Sequence, residues 1–200
     1  MEEGLSTENL SKIACLLDVQ GFIINNIFYP RELAILNNTI SRSFNIDTEL
    51  FSLSNIQKGA ANYQTHAIHG LTLRPEEGTF NITTKNFKDI LFILVKTLTS
   101  RDQPLVGIKN HQLKPILQSL GIDYIDLEKG DVIVPSIESL DSLNPLGKWV
   151  CEHHTECDQG NRKCALRKCF NIWSWLEMQK EKLRQIKLIS EHSSTFKFFN

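Results

Sequence analysis

The sequence predicts an α/β chain with a mixed sheet, in which three antiparallel strands precede parallel ones. Helices flank the sheet, and a long helix closes the chain. Three observations predict this. Short apolar runs punctuated by Gly21, Asn25-Asn26 and Pro30 fill the first 36 residues, the signature of hairpin-connected strands. Helical and strand-like segments then alternate from Thr84 to Leu127, the pattern of parallel crossover units. From Ala165 onward, apolar residues recur at helical spacing.

Along the chain, residues 1–10 read as an acidic lead-in, 11–180 as the folded domain, and 181–200 as a basic helix end and tail. Lys12–Phe22 reads as a buried strand ending at Asp18. Ile23–Tyr29 reads as its hairpin partner, turned at Gly21 or at Asn25-Asn26, and Glu32–Leu36 as a third short strand after the break at Pro30. Residues 37–83 are rich in Asn, Ser and Thr and read as a partly helical, loop-rich insertion holding His66 and His69. Thr83 or Thr84 caps a helix over Thr84–Leu98, whose Phe87, Ile90, Leu91, Leu94, Val95 and Leu98 keep the 3.6-residue period. A strand over Pro104–Ile108, a helix over Gln112–Leu120 stopped at Gly121, and a strand over Asp123–Leu127 follow. Pro135-Ser136 opens a short Ser-capped helix. Ala165, Leu166, Cys169, Phe170, Trp173 and Leu176 then mark the buried stripe of the last helix, which runs to about Ile189.

With 200 residues, 41% of them hydrophobic, the chain is long enough for a substantial core. No apolar run reaches the roughly 18–20 residues of a membrane span. The acidic, polar start is unlike a secretory signal, so an intracellular setting, cytoplasmic or nuclear, is expected. Clustered cysteines in a reducing compartment point to metal ligation before disulfides. The net charge of −1 divides unevenly: residues 1–146 carry 12 Lys/Arg and 17 Asp/Glu, and residues 147–200 carry 10 and 6.

The cysteines concentrate at Cys151, Cys157, Cys164 and Cys169, with His153 and His154 among them. Zinc takes four His or Cys ligands in a tetrahedron. Cys151 and His154 are spaced to chelate from one turn, and Cys164 follows across a flexible polar connector. A fourth ligand from His69 would staple the insertion to the last helix. A local set of Cys151, His153 or His154, Cys157 and Cys164 is the alternative. Four protein ligands describe a closed structural zinc site. Cys169 falls on the apolar stripe and reads as a core thiol.

The cations at and beyond the start of the last helix, Lys163, Arg167, Lys168, Lys180 and Arg184, are candidate phosphate contacts, with RNA or another single-stranded nucleic acid as the partner. The same helix is a candidate surface for protein partners.

The order of elements resembles the ribonuclease H-like fold, and within it the DEDD-type exonucleases. The words that carry the likeness are Ile13–Asp18 with Asp18-Val19-Gln20, Leu105–Asn110, Tyr124-Ile125-Asp126-Leu127, and Lys163–Cys169 as the last motif. The resemblance implies two Mg²⁺ ions held by four carboxylates. This sequence keeps Asp18 but has Gln20 where a glutamate belongs, Lys114 near the middle acid, and Lys168 near the last. One acid of four cannot hold two magnesium ions. A nuclease acting as exonuclease or endoribonuclease would need a rearranged site around Asp18 and Asp126. The Maelstrom-type domain of the animal piRNA pathway belongs to the same superfamily and trades the acids for a zinc held by a Glu-His-His-Cys set. This chain resembles it in that trade. The expectation is a zinc-stabilised module that binds nucleic acid or protein without two-metal catalysis; the alternatives are a nuclease and a structural interaction protein.

Overall fold

The computed structural model of the chain describes residues 2–48, 53–73, 81–143 and 164–196. The strands β1 (Glu2–Leu5), β2 (Ile13–Ile24), β3 (Ile27–Leu36), β4 (Ser41–Asp47), β5 (Asn81–Thr83), β6 (Leu105–Ile108) and β7 (Tyr124–Gly130) form one sheet. Its order is β1-β7-β6-β2-β3-β4-β5. The β2–β3 and β3–β4 pairs are antiparallel, and β6, β7 and β1 add on the other side of β2 in parallel. The helices are α1 (Asn55–Gln64), α2 (Thr84–Leu98), α3 (Lys114–Ser119), α4 (Ile137–Leu143) and α5 (Ala165–Phe196). The mixed sheet, antiparallel first and parallel later, and the long closing helix agree with the sequence.

The three antiparallel strands are framed differently from the expectation. The turn falls at Asn25-Asn26, with φ of 52° and 62°, the left-handed pair that a tight hairpin requires. Residues expected as three strands therefore make two. β3 passes through Pro30 because the pairing shifts there: Gln20 faces Glu32, and Gly21 faces Pro30, leaving Arg31 as the extra residue of a bulge. A Cβ at Gly21 would sit 2.1 Å from the Tyr29 carbonyl oxygen, so only glycine fits this crossing. The third strand is β4, inside the stretch read as loop. Phe44 and Ile46 alternate there with Ser43 and Asn45. Residues read as a lead-in supply β1, which pairs with β7, and Leu5 and Leu10 are fully buried.

Strict alternation gives the sheet two faces. Leu16, Ala34, Leu36, Ile125 and Leu127 pack against Ala165, Cys169, Ile172 and Leu176 of α5 and Leu140 of α4. Cys15, Leu17, Val19, Leu33, Ile35, Val106 and Ile108 pack against Phe87, Leu91 and Val95 of α2 and Leu117 of α3. Each fully buried Leu contributes roughly 1.5–3 kcal/mol. Thr83 caps α2, its hydroxyl accepting the Asn86 N–H at 3.3 Å.

Residues 53–73 close the end of the α5 face. Gln64 grips the β2 edge with both ends of its amide, taking the Ile23 N–H and donating to the Ile23 carbonyl, each at 2.8 Å. The buried Arg31 guanidinium donates to the Ile46 and Thr72 carbonyls. This segment is thus fixed by protein contacts of its own, where a metal had been the only anchor visible in the sequence.

Candidate functional site

On β2, alternation turns Asp18 and Gln20 toward α5. Asp18 is buried, and three side chains converge on its carboxylate. Asn110, two residues past β6, donates from Nδ2 to Oδ1 at 2.9 Å and to the Val19 carbonyl at 2.6 Å. Gln20 Nε2 donates to Oδ2 at 3.1 Å. Lys168 Nζ, from the first turn of α5, lies 3.7 Å from the same oxygen. Burial dominates and raises the Asp18 pKa, aided by the Glu32 charge; Lys168, Asn110 and Gln20 pull the other way without cancelling it. A cleft of about 140 Å³ opens beside this cluster, with Leu16, Leu127, Ile137 and Ile172 as apolar walls and Lys109 and Glu128 among its polar lining. Lys109 Nζ is spent on the Val134 and Pro135 carbonyls.

Asp126, the other acid named for a rearranged catalytic site, points to the opposite face. Its register partner Ile108 packs with the α2 and α3 core, and its carboxylate meets Lys114 at 2.5 Å, the Glu128 N–H at 3.1 Å and Lys129 at 3.8 Å. Burial acts to raise this pKa, but the Lys114 hydrogen bond, the Glu128 amide and the two lysine charges outweigh it and hold it below the ordinary carboxylate value. The sheet therefore separates Asp18 from Asp126, and they cannot share a metal ion. Lys114, which sequence spacing put near the middle acid, stands on that other face. Asn110 is the residue beside Asp18, a signal available in its place directly after the β6 run.

Of the expected zinc ligands, Cys151, His154 and the alternates His153 and Cys157 lie outside the described residues, and so does Lys163. Cys164 is buried at the start of α5, its Sγ 3.7 Å from Oε1 of Glu32. The other Glu32 oxygen accepts the Ala165 N–H at 3.1 Å, placing a carboxylate at the helix N-terminus, where the dipole favours it. Glu32 is 0% exposed, and sequence reading missed it; the available signal was an acid on a strand of otherwise apolar residues. His69 is buried at the end of a π-turn that continues α1. Its ring meets Phe22 edge-on at 4.7 Å, on the face that carries Asp18 and Gln20, and Nδ1 accepts the Leu71 N–H at 3.1 Å. In that tautomer Nε2 carries the proton, so ligation through Nε2 requires the Leu71 amide to release the ring. Among the described residues, no three His, Cys, Asp or Glu side chains are gathered closely enough to hold a metal ion.

Most of the candidate phosphate contacts turn inward. Arg167 pairs with Asp141 at 3.2 Å, and Lys168 faces Asp18. Lys180 pairs with Glu177 at 2.8 Å and lies 5.0 Å above the Trp173 ring, whose indole N–H donates to Asn38. Arg184 projects into solvent beside Glu181. Cys169 is a core residue as its stripe predicts, and burial pushes its thiol pKa well up. Among the described residues, no helix is long and apolar enough to cross a membrane. No family model, curated protein or solved structure matches the chain.

Proposed function

We propose that this chain is a degenerate nuclease-fold module, ribonuclease H-like and zinc-braced, that binds a nucleic-acid or protein partner without two-metal hydrolysis. The observation that carries this reading is the company Asp18 keeps. The middle of β2, the residues just past β6 and the first turn of α5 bring four polar side chains to one point, and only Asp18 is acidic. Two amides donate to its carboxylate, and the Lys168 ammonium stands 3.7 Å from it. They consume its lone pairs, and Lys168 already supplies a positive charge there. A pair of divalent cations needs several carboxylates to offset its charge. The order β4-β3-β2-β6-β7 at the centre of the sheet also supports the superfamily resemblance.

The zinc part is supported by Glu32 and Cys164. On a tetrahedral zinc with a thiolate at ~2.3 Å and a carboxylate oxygen at ~2.0 Å, sulfur and oxygen stand about 3.5 Å apart. The separation of 3.7 Å fits two donors of one such site. Residues 151–157 end seven positions before Cys164 and hold two His and two Cys. Glu32 and Cys164 with two of those, or with one of those and His69, would complete four ligands. The zinc would be structural, tying α5 to β3.

The inward pairing of Arg167, Lys168 and Lys180 favours a protein partner over RNA. The test incubates purified protein with end-labelled single-stranded RNA, with Mg²⁺ and with chelator. Intact RNA in both is expected, and cleavage that Asp18→Ala abolishes contradicts the reading. Metal analysis is expected to give about one zinc per chain. Glu32→Gln or Cys164→Ser should lower that content, and a metal-free, folded chain removes the zinc part alone.

A further inference from the structure

We propose that the edge of β2 around Gly21 and Ile23 is a docking site for an extended peptide of a partner protein, and that Gln64 holds this edge from within in place of the peptide. The inference deepens the protein-partner side of the binding-module reading and rests on it.

β2 outruns its neighbour. β6 pairs with it only as far as Leu17, opposite Ile108, whereas β2 continues to Ile24. Past Leu17, the backbone groups of every second residue still face the side that β6 has left. The Val19 carbonyl there accepts from Asn110 Nδ2 at 2.6 Å. The Ile23 N–H and carbonyl both meet the Gln64 amide, each at 2.8 Å. Between them, alternation turns the Gly21 N–H and carbonyl the same way, and no side chain among the described residues bonds to them.

When one residue gives its N–H and its carbonyl to a single partner, that is the bonding unit of an antiparallel strand pair. A carboxamide has a donor and an acceptor side by side and reproduces this unit once. The way Gln64 sits therefore shows what the edge takes, which is peptide backbone. A strand would repeat the unit at Gly21, where the missing side chain permits close approach. Ile23, 48% exposed, offers an apolar cross-strand neighbour.

Chemistry selects the occupant. From Val19 to Pro30 the hairpin carries no charged side chain, so nothing on it draws phosphates and no lysine guards its edge. Pairing β2 with the β2 of a second copy would displace two Gln64 amides, whereas a partner's peptide displaces one. Addition of a strand to such an edge is a recurring mode of peptide recognition.

The probe is a fluorescein-labelled, C-terminally amidated peptide of about six residues alternating Thr and Val, both strand formers. Two control peptides carry N-methyl groups on alternate residues, one control for each edge of the peptide. Anisotropy titration of the Gln64→Ala chain should show saturable binding at least about tenfold tighter than that of the parent chain, because the internal competitor is gone. One N-methylated control should lose this binding and the other keep it. Adding Ile23→Pro, which deletes the edge N–H, should abolish it. Gln64→Glu keeps the acceptor for the Ile23 N–H and loses the donor, so it should give an intermediate gain; it carries the test if circular dichroism shows Gln64→Ala unfolded. Equal affinity for the parent and the Gln64 variants overturns the proposal, as does no binding to either variant or equal binding of both controls. Self-association of Gln64→Ala in sedimentation that Ile23→Pro abolishes makes a second copy the occupant and overturns it too. Failure to bind peptide with RNA still intact sinks this inference alone, whereas Asp18-dependent RNA cleavage sinks the underlying reading.

Discussion

Asp18 and Asp126 are both buried aspartates on neighbouring regions of one sheet, and they have opposite electrostatic fates. Asp126 faces α3 and has an ammonium at contact distance, with Lys129 behind it. Asp18 faces α5 and has two amides at contact distance and an ammonium further off. Amides satisfy hydrogen bonds but supply no net charge, so burial wins at Asp18 and its pKa rises; at Asp126 the cations win and its pKa falls. Asp126 reads as a structural ion pair. Asp18 is a buried carboxylate held by neutral donors, with Lys168 supplying a positive charge beside it.

The largest expected effect lies on the α3 side. Asp126→Ala removes the carboxylate to which Lys114 and Lys129 point, and breaking a buried pair this way costs about 3–5 kcal/mol. Urea denaturation measures it, and a loss below about 1 kcal/mol would make the pair incidental. Gln20→Glu comes next. It sets a second carboxylate beside Asp18 and should destabilise the chain by about 1–2 kcal/mol at neutral pH, with the loss relieved by acid. Asp18→Asn should stay within about 1 kcal/mol of the parent at pH 7, because losing the charge offsets losing its hydrogen bonds. A loss as large as that of Asp126→Ala would erase the distinction between the two sites.

Acid titration gives the smallest but most diagnostic effect. Asp126 is depressed, so its contribution is complete above the ordinary carboxylate value of 3.8 and lost as pH falls through its lower folded value. Asp18 is raised, so its ionisation costs stability as pH climbs from 3.8 through its folded value, and acid removes that cost. Stability curves for the two Asp→Asn variants should therefore flatten in opposite directions. Parallel curves would refute the assignment.

The sequence announced α2 because Phe87, Leu91 and Val95 keep a helical period behind a capping Thr83. It hid the β3 path, because Pro30 normally ends a strand and only the bulge at Arg31, opposite Gly21, lets it continue. β4 was hidden by its polar residues, although Phe44 and Ile46 alternate as a half-buried strand does. At the site, Asp18, Gln20 and Lys168 were singled out by the sequence, and the structure brings them together. Asn110 was not, because a spacing argument cannot tell which face of the sheet receives a residue and so offered Lys114. Glu32 was not singled out because its contact is with Cys164, 132 positions along the chain.

The central claim is that the Asp18 cleft has lost its affinity for divalent cations through Gln20, Asn110 and Lys168. Calorimetric titration of Mg²⁺ into the purified chain, and into the triple variant Gln20→Glu/Asn110→Asp/Lys168→Asp, tests it most directly. The account predicts no saturable heat for the parent chain and millimolar or tighter binding for the variant, abolished by adding Asp18→Ala. Saturable Mg²⁺ binding by the parent chain that Asp18→Ala removes would contradict it.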